Sequence, residues 1–275
     1  MTFSKYIYLR ITFKNKQSSV HAIRFGVGAK LLICFHGFGQ DADAFTVLDP
    51  ALSKRYKIVS IDLPFHGDTE WKRGEIFLKT DLKELLIQIL ELENKQRFSL
   101  MGYSLGGKIV LTAVTLFASA IDEIFLIAPD GVKISGWYKF AVYNRWGQRS
   151  FSRFVKKPEL LFSVARILNR FGLVGDSSFK FLQVQTDTET KRQKVYDVWL
   201  TLRDFQFSLH EVKESLNQYE IKSFLFIGKY DRLITTTMAK TFFTGLNHCK
   251  PLLLESGHNL MSPWLNKTIT QALEE

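Results

Sequence analysis

The sequence is poor in cysteine and has no long apolar run. Its two cysteines, Cys34 and Cys249, are too few for a disulfide framework or a cysteine zinc site, and such low usage is typical of a reducing compartment. The first residues lack the apolar core of a signal peptide, and no apolar stretch approaches the ~20 residues that span a bilayer. We therefore expect a soluble, cytoplasmic protein.

Acidic residues are fewer than basic ones. The 275 residues include 37 Lys and Arg against 27 Asp and Glu, a net charge of +10. This charge is compatible with anionic partners, but the chain contains no nucleic-acid-binding motif, so we expect no nucleic acid partner. Hydrophobic residues make up 46% of the chain, which supplies a core for one or two domains and excludes wholesale disorder.

Short runs of β-forming residues recur along the chain. The first two runs alternate apolar and polar residues and predict a hairpin. The later runs are separated by helical patterns, among them 75–93 and 105–119, and this alternation predicts an α/β fold with a mostly parallel sheet. The predicted strands cover residues 5–13, 20–25, 30–35, 57–63, 98–103, 123–128, 222–228 and 250–254.

Residues 131–215 interrupt this alternation. They contain helical patterns at 159–171 and 191–205, and they carry 15 Lys and Arg against 8 Asp and Glu, which is +7 of the net charge. We interpret residues 131–215 as a helical cap inserted after the sixth strand. The core domain would then comprise residues 1–130 and 216–275.

The strongest motif is Gly102-Tyr103-Ser104-Leu105-Gly106, which fits the pattern G-x-S-x-G between an apolar strand and a helical run. In this context the serine lies on a sharp turn, and the small residues on either side let strand and helix approach closely. The start of the helix directs free N–H groups toward the serine. We therefore interpret Ser104 as a candidate nucleophile.

A serine nucleophile needs a base, and the base needs an orienting carboxylate. His258 follows the last predicted strand, and Asp231 follows the strand before it. Because parallel strands end at one edge of a sheet, we expect both to meet Ser104 there. Asp197 and Asp204 are the alternative carboxylates, but they lie in the predicted cap.

The residues His36-Gly37-Phe38-Gly39 come directly after an apolar strand. A carbonyl attacked by a serine develops an oxyanion, which needs fixed N–H donors. The backbone N–H groups of Phe38 and Leu105 are the expected pair. We interpret His36, and His66 in the turn at 62–67, as structural residues.

Taken together, HGFG at 36–39, DLPFHG at 62–67, GYSLGG at 102–107 and the late Asp231 and His258 resemble the α/β-hydrolase superfamily. The likeness covers roughly residues 20–130 and 220–275. More narrowly, the sequence resembles the single-domain serine hydrolases, which include small carboxylesterases, the pimeloyl-ester esterase of biotin synthesis and a menaquinone-pathway enzyme. The resemblance implies the α/β-hydrolase fold with a cap, a serine nucleophile, and neither a metal nor an organic cofactor.

Two positions depart from these relatives. Phe65 replaces a glycine in the turn at 62–67, and Lys108 replaces an arginine typical of the menaquinone-pathway enzymes. A lysine cannot reproduce the bidentate carboxylate binding of arginine, which argues against that pathway. The expected substrate-contacting residues include Tyr103 beside the serine and Phe65 near the rim of the site. Trp137 and Trp146 of the predicted cap are added because caps of this superfamily commonly form the acyl or alcohol pocket.

The sequence thus predicts a serine hydrolase that cleaves a small-molecule carboxylic ester or thioester through an acyl-enzyme. Three alternatives stay open: a C–C bond hydrolase or lyase with the same triad, a ligand-binding receptor with slow turnover, and an acyl hydrolase that acts at a lipid surface. The oligomeric state is not predicted.

Overall fold

The computed structural model describes residues 6–14, 16–132, 134, 136–159, 163 and 185–274, except for the side chain of Trp137. The chain divides into two compact units. The first consists of Met1–Lys72, Leu78–Val132 and Phe205–Glu275, and the second of Arg73–Phe77 and Lys133–Asp204.

The first unit is built on an eight-stranded sheet. The strands are β1 Ile7–Thr12, β2 Ser19–Phe25, β3 Lys30–Phe35, β4 Tyr56–Ile61, β5 Phe98–Tyr103, β6 Ile121–Ile127, β7 Lys222–Gly228 and β8 Cys249–Leu254. They lie in the order β1-β2-β4-β3-β5-β6-β7-β8. β1 pairs with β2 and β2 with β4 in antiparallel fashion, and every pairing from β4 to β8 is parallel. The predicted α/β fold with a mostly parallel sheet and an N-terminal hairpin is confirmed.

Helices lie in the segments that join consecutive strands from β3 onward. Two short 3-10 segments, Ala42–Leu48 and Ala118–Ala120, accompany them. The described helices are α1 Asp49–Leu52, α2 Lys79–Leu92, α3 Leu105–Phe117, α4 Gly136–Tyr143, α5 Arg145–Lys156, α6 Glu189–Thr201, α7 Leu209–Gln218, α8 Thr236–Phe243 and α9 Leu265–Glu274.

The central strands are covered on both faces. Every residue of β5 is buried, which explains why its sequence is a continuous apolar run rather than an alternating one. Alternate residues of β3 and β7 belong to one core cluster with residues that lie outside the sheet. The cluster includes Leu32, Phe226, Phe45, Leu265 and Ile269. The helix α3 packs against β3, β5 and β6, and its residues from 106 to 114 are all buried.

Most of the described part of the second unit is helical. The ring of Phe151 on α5 packs 5.5 Å from the ring of Trp199 on α6. The buried guanidinium of Arg192 donates hydrogen bonds to the carbonyls of Val155 and Thr186. The helical pattern at 159–171 lies mostly outside the described residues. That this unit acts as a cap stays a prediction.

The boundary of the second unit differs from the sequence interpretation. The helix α7 overlaps the end of the predicted cap at 131–215. It packs against α3 and belongs to the first unit. The short segment 73–77 belongs instead to the second unit, where the N–H of Phe77 donates to the carbonyl of Thr201. Sequence periodicity carries no information on which neighbour a helix packs against. Among the described residues, the helices all lack the length and apolar character needed to cross a membrane.

Candidate active site

Ser104 occupies the turn between β5 and α3 with a strained backbone of φ +48° and ψ −112°. Two hydrogen bonds fix this turn: the N–H of Ser104 donates to the carbonyl of Ile127 (2.9 Å), and its carbonyl accepts from the N–H of Asp130 (2.9 Å). A Cβ on Gly102 would come within 2.5 Å of the carbonyl of Gly106. The motif glycines are therefore required by the close approach of strand and helix.

The Ser104 hydroxyl forms one end of a chain of hydrogen bonds. Its Oγ lies 3.0 Å from Nε2 of His258, and Nδ1 of the same imidazole lies 2.8 Å from Oδ2 of Asp231. The three residues follow β5, β7 and β8, which are parallel and end at one edge of the sheet. The structure thus brings together the three side chains that the sequence singled out.

The Asp231 carboxylate is held in a fixed orientation. Its side chain is fully buried, and its Oδ1 accepts hydrogen bonds from the N–H groups of Leu233 (2.8 Å) and Ile234 (2.9 Å). Oδ2 is left to accept from Nδ1 of His258. This arrangement places the imidazole proton on Nδ1 and leaves Nε2 able to take the hydroxyl proton of Ser104.

Tyr103 supports the His258 loop. Its buried hydroxyl donates to the backbone carbonyl of His258 (3.1 Å), and its ring lies 5.7 Å from the imidazole. Burial, together with the nearby charge of Asp231, raises the pKa of Tyr103 to about 12, so the hydroxyl stays a donor at neutral pH. This bond joins residues far apart in sequence, and no local pattern predicts it. The expected contact of Tyr103 with substrate stays a prediction.

The loop after β3 carries the expected oxyanion donor. The N–H of Gly37 donates to Oε1 of Gln40 (3.0 Å), and the N–H of Gly39 donates to Nε2 of His66 (3.1 Å). Among the described residues, the N–H of Phe38 between them has no hydrogen-bond acceptor, and neither has that of Leu105 at the start of α3. Both groups can therefore donate to a ligand. Sequence reasoning missed Gln40, although it directly follows the motif.

His36 and His66 brace this loop rather than act as bases. The imidazole of His36 accepts from the N–H of Leu63 (3.0 Å) and lies 2.7 Å from the carbonyl of Gly37. His66 accepts at Nε2 from Gly39, so its Nδ1 donates to the carbonyl of Pro64 (3.0 Å). Both rings are buried and both nitrogens of each are engaged.

Asp62 anchors the adjacent turn. Its carboxylate accepts from the N–H groups of Ala42 and Asp68 and lies 2.7 Å from Nδ1 of His21. Sequence reasoning missed this buried His–Asp pair. The Thr69 hydroxyl accepts from the backbone N–H of His21 (2.9 Å) and donates to the carbonyl of Asp62 (2.7 Å). Among the described residues no hydroxyl is bonded to the imidazole of His21, so the pair joins β2 to the turn and has no place in the chemistry of Ser104.

The remaining predicted substrate contacts differ in their surroundings. Phe65 is half-buried with φ +65°, a backbone region that favours glycine. Trp146 is 72% exposed, with the guanidinium of Arg149 lying 5.6 Å from its ring centroid. The side chain of Trp137 lies outside the described residues. Substrate contact by all three stays a prediction.

Lys108 lies one helical turn after Ser104. It is only 3% exposed, and burial lowers the pKa of its ammonium, while the charge of Asp130 acts in the opposite direction. The position at which this chain departs from the menaquinone-pathway enzymes is therefore an interior one.

A family model described as the alpha/beta hydrolase fold matches residues 30–259, which is well over half of the chain. This chain is an alpha/beta hydrolase. The matched range contains the turn at Ser104, the loop at Phe38 and both partners of the serine. The narrower likeness to carboxylesterases, the pimeloyl-ester esterase and the menaquinone-pathway enzyme stays a prediction.

Curated relatives of this alpha/beta hydrolase differ in how much they share. An uncharacterised hydrolase of Bacillus subtilis is 34% identical over 104 residues, which are 38% of this chain and 38% of that protein. A monoacylglycerol lipase of Homo sapiens is 23% identical over 249 residues, which are 86% of this chain and 72% of the lipase. The match therefore spans just over a third of the Bacillus protein.

Solved structures share the fold over nearly the whole alpha/beta hydrolase. A thermophilic esterase from Thermogutta terrifontis superposes with a TM-score of 0.67 at 15% identity, covering 98% of this chain and 97% of the esterase. A meta-cleavage product hydrolase from Pseudomonas fluorescens superposes with a TM-score of 0.59 at 15% identity, covering 94% and 93%. At this identity the likeness concerns the fold alone.

Proposed function

We propose that this alpha/beta hydrolase is a serine esterase or thioesterase that uses Ser104, His258 and Asp231. The observation that carries the proposal is the continuous hydrogen-bonded chain from the hydroxyl through the imidazole to the buried carboxylate. The proposal draws further support from the two backbone N–H groups that lack an acceptor, those of Phe38 and Leu105.

Acylation starts with the substrate carbonyl beside Ser104. His258 Nε2 accepts the hydroxyl proton while Oγ attacks the carbonyl carbon, and the negative oxygen of the tetrahedral adduct accepts from Phe38 and Leu105. Asp231 stabilises the imidazolium that forms. The imidazolium then donates its proton to the leaving alcohol or thiol, and the carbon–oxygen or carbon–sulfur bond breaks to leave the acyl-enzyme.

Deacylation runs by the same route with water as the nucleophile. His258 accepts a proton from water while the water oxygen attacks the acyl carbon. The second tetrahedral adduct then collapses as the imidazolium protonates Oγ of Ser104. The acid is released and the serine is restored. The substrate is a small molecule, and every proton transfer uses groups of this chain.

The esterase and the lipase that resemble this chain favour ester substrates over the alternatives. A meta-cleavage product hydrolase also shares the fold, so a C–C bond hydrolase is the second candidate. A panel of aryl esters, acyl thioesters and vinylogous diketones separates them. We expect turnover of esters or thioesters that is lost in Ser104→Ala while the fold is retained.

Exclusive turnover of the diketones would support the C–C hydrolase instead. Stoichiometric labelling of Ser104 by a fluorophosphonate with negligible turnover on all three classes would support the slow receptor. Normal ester turnover by Ser104→Ala would refute the proposal.

A further inference from the structure

The second unit contains a segment with basic side chains and no acidic ones. Residues 133–158 include seven Lys and Arg and no Asp or Glu. Elsewhere in the chain, exposed cations are interspersed with carboxylates, as in the ion pair of Arg97 with Asp122 (2.6 Å). A segment of one charge sign is therefore a local property and not a reflection of composition.

The helix α5 gathers this charge on one face. Arg145, Arg149 and Arg153 recur every four residues, so their side chains lie along one side of the helix. All three are exposed, and none has an ion pair or a side-chain hydrogen bond with any described residue. The opposite side of α5 is buried through Phe151, Phe154 and Val155. Like charges at this spacing repel one another, and nothing on the described helix offsets that repulsion.

A groove of about 660 Å³ runs along this face and is open to solvent. The three arginines line it together with Gln148, Ser152 and Tyr196. Two large rings are exposed on α4 and α5: Trp146 is 72% exposed and Phe140 is 44% exposed. Exposed aromatic rings beside exposed cations are typical of surfaces that meet the headgroup region of a membrane.

We infer that the face formed by Phe140, Arg145, Trp146, Arg149 and Arg153 docks on the surface of an anionic phospholipid bilayer. The arginines would meet lipid phosphates, and the two rings would enter the boundary between headgroups and acyl chains. The open groove favours an extended anionic surface over a small ligand, which enclosed pockets bind. The inference does not depend on the proposed hydrolytic function, because the face lies wholly within the second unit.

The test measures partitioning of the full chain onto sedimented vesicles. We expect binding to vesicles that contain phosphatidylglycerol, little binding to pure phosphatidylcholine, and a steep loss as salt screens the attraction. Replacing Arg145, Arg149 and Arg153 together by glutamine should weaken binding about hundredfold, since each cation near the surface contributes about fivefold.

A matched control removes the same charge elsewhere. Lys54, Lys83 and Lys267 are exposed lysines of the first unit without a described ion pair, and their combined change to glutamine should weaken binding by less than about tenfold. Equal losses in the two triple variants would overturn the inference, as would equal binding to neutral and anionic vesicles. Thermal unfolding checks that both variants are folded.

A second variant distinguishes a lipid surface from a site for free phosphate. Changing the three arginines to lysine keeps the charge but removes bidentate contacts. We expect this variant to keep vesicle binding within about threefold and inorganic phosphate at ~10 mM to compete no better than chloride of equal ionic strength. Loss of binding in the lysine variant, or specific competition by phosphate, would refute membrane docking. Trp146→Ala should lower the fraction that stays bound at high salt, because ring insertion is not screened.

Discussion

Changing Asp231 to asparagine tests the orientation of the imidazole. Oδ1 of Asp231 accepts two backbone N–H groups, so the single oxygen of asparagine must stay at that position. The amide NH₂ then faces Nδ1 of His258, which lies 2.8 Å from the present Oδ2. Because NH₂ only donates, Nδ1 must become the acceptor and the ring proton moves to Nε2. Nε2 then no longer accepts the proton of Ser104.

The expected rate loss follows from the free energy needed to turn the asparagine amide so that its oxygen again faces Nδ1 of His258. Turning the amide around to restore it would leave both N–H groups without an acceptor, at about 1–3 kcal/mol each. A total of about 2–6 kcal/mol corresponds to a rate loss of about 30-fold to about 25,000-fold. We therefore expect kcat on an aryl ester to fall by about that factor, with little change in thermal stability.

Asp197→Asn is the matched control, since Asp197 was the alternative carboxylate in sequence and instead pairs with Arg73 in the second unit. Its kcat should stay within about twofold. Nitrogen-15 chemical shifts of the His258 ring should report the proton on Nδ1 in the wild type and on Nε2 in Asp231→Asn. A loss of less than tenfold in a folded, active-site-titrated Asp231→Asn would refute this reasoning.

Three further predictions concern stability. Gly106→Ala should lower the free energy of unfolding in urea by about 3 kcal/mol, because its Cβ would collide with the carbonyl of Phe35. Gly136→Ala, in open space, should change the free energy of unfolding by less than about 0.5 kcal/mol. Equal effects of the two changes would contradict the close packing at Gly106. Burial disfavours the Glu123 carboxylate, but its hydrogen bonds and neighbouring cations outweigh burial and lower its pKa below the ordinary 4.5. The ionised Glu123 carboxylate should therefore stabilise the wild type above pH 4.5, and this stabilisation should be lost as the pH falls below 4.5. Glu123→Gln should be ~2 kcal/mol less stable than the wild type at pH 7, and thermal melting over a range of pH should not show that acid-dependent loss. Phe65→Gly should have a free energy of unfolding in urea about 1 kcal/mol higher than that of Phe65→Ala, because the backbone φ at this position is +65°. The reverse order would contradict a left-handed backbone at residue 65.

The sheet was predictable because its signal is local. Strands buried on both faces are short apolar runs, and all eight predicted runs coincide with observed strands to within a few residues. The turn at Ser104 was predictable because the motif itself is local, and Gly102 is required by the backbone of Gly106 only four residues away. The contact of Gly106 with the carbonyl of Phe35 joins distant segments and could not be read from the motif.

The other parts of the site depend on distant neighbours. The bond from Tyr103 to the carbonyl of His258 and the pair of His21 with Asp62 join segments that no local pattern connects. The packing of α7 against α3 likewise depends on tertiary contacts, which is why the predicted boundary at 215 differs from the observed division. The left-handed backbone at Phe65 was missed because the residue type predicts an extended conformation.

Covalent labelling tests the central claim most directly. A fluorophosphonate should form one adduct per chain on the peptide that contains Ser104, and the loss of ester turnover should follow the extent of labelling. His258→Ala should label far more slowly, because the hydroxyl then lacks its proton acceptor. Labelling of a different residue, or full turnover after Ser104 is completely modified, would contradict the account.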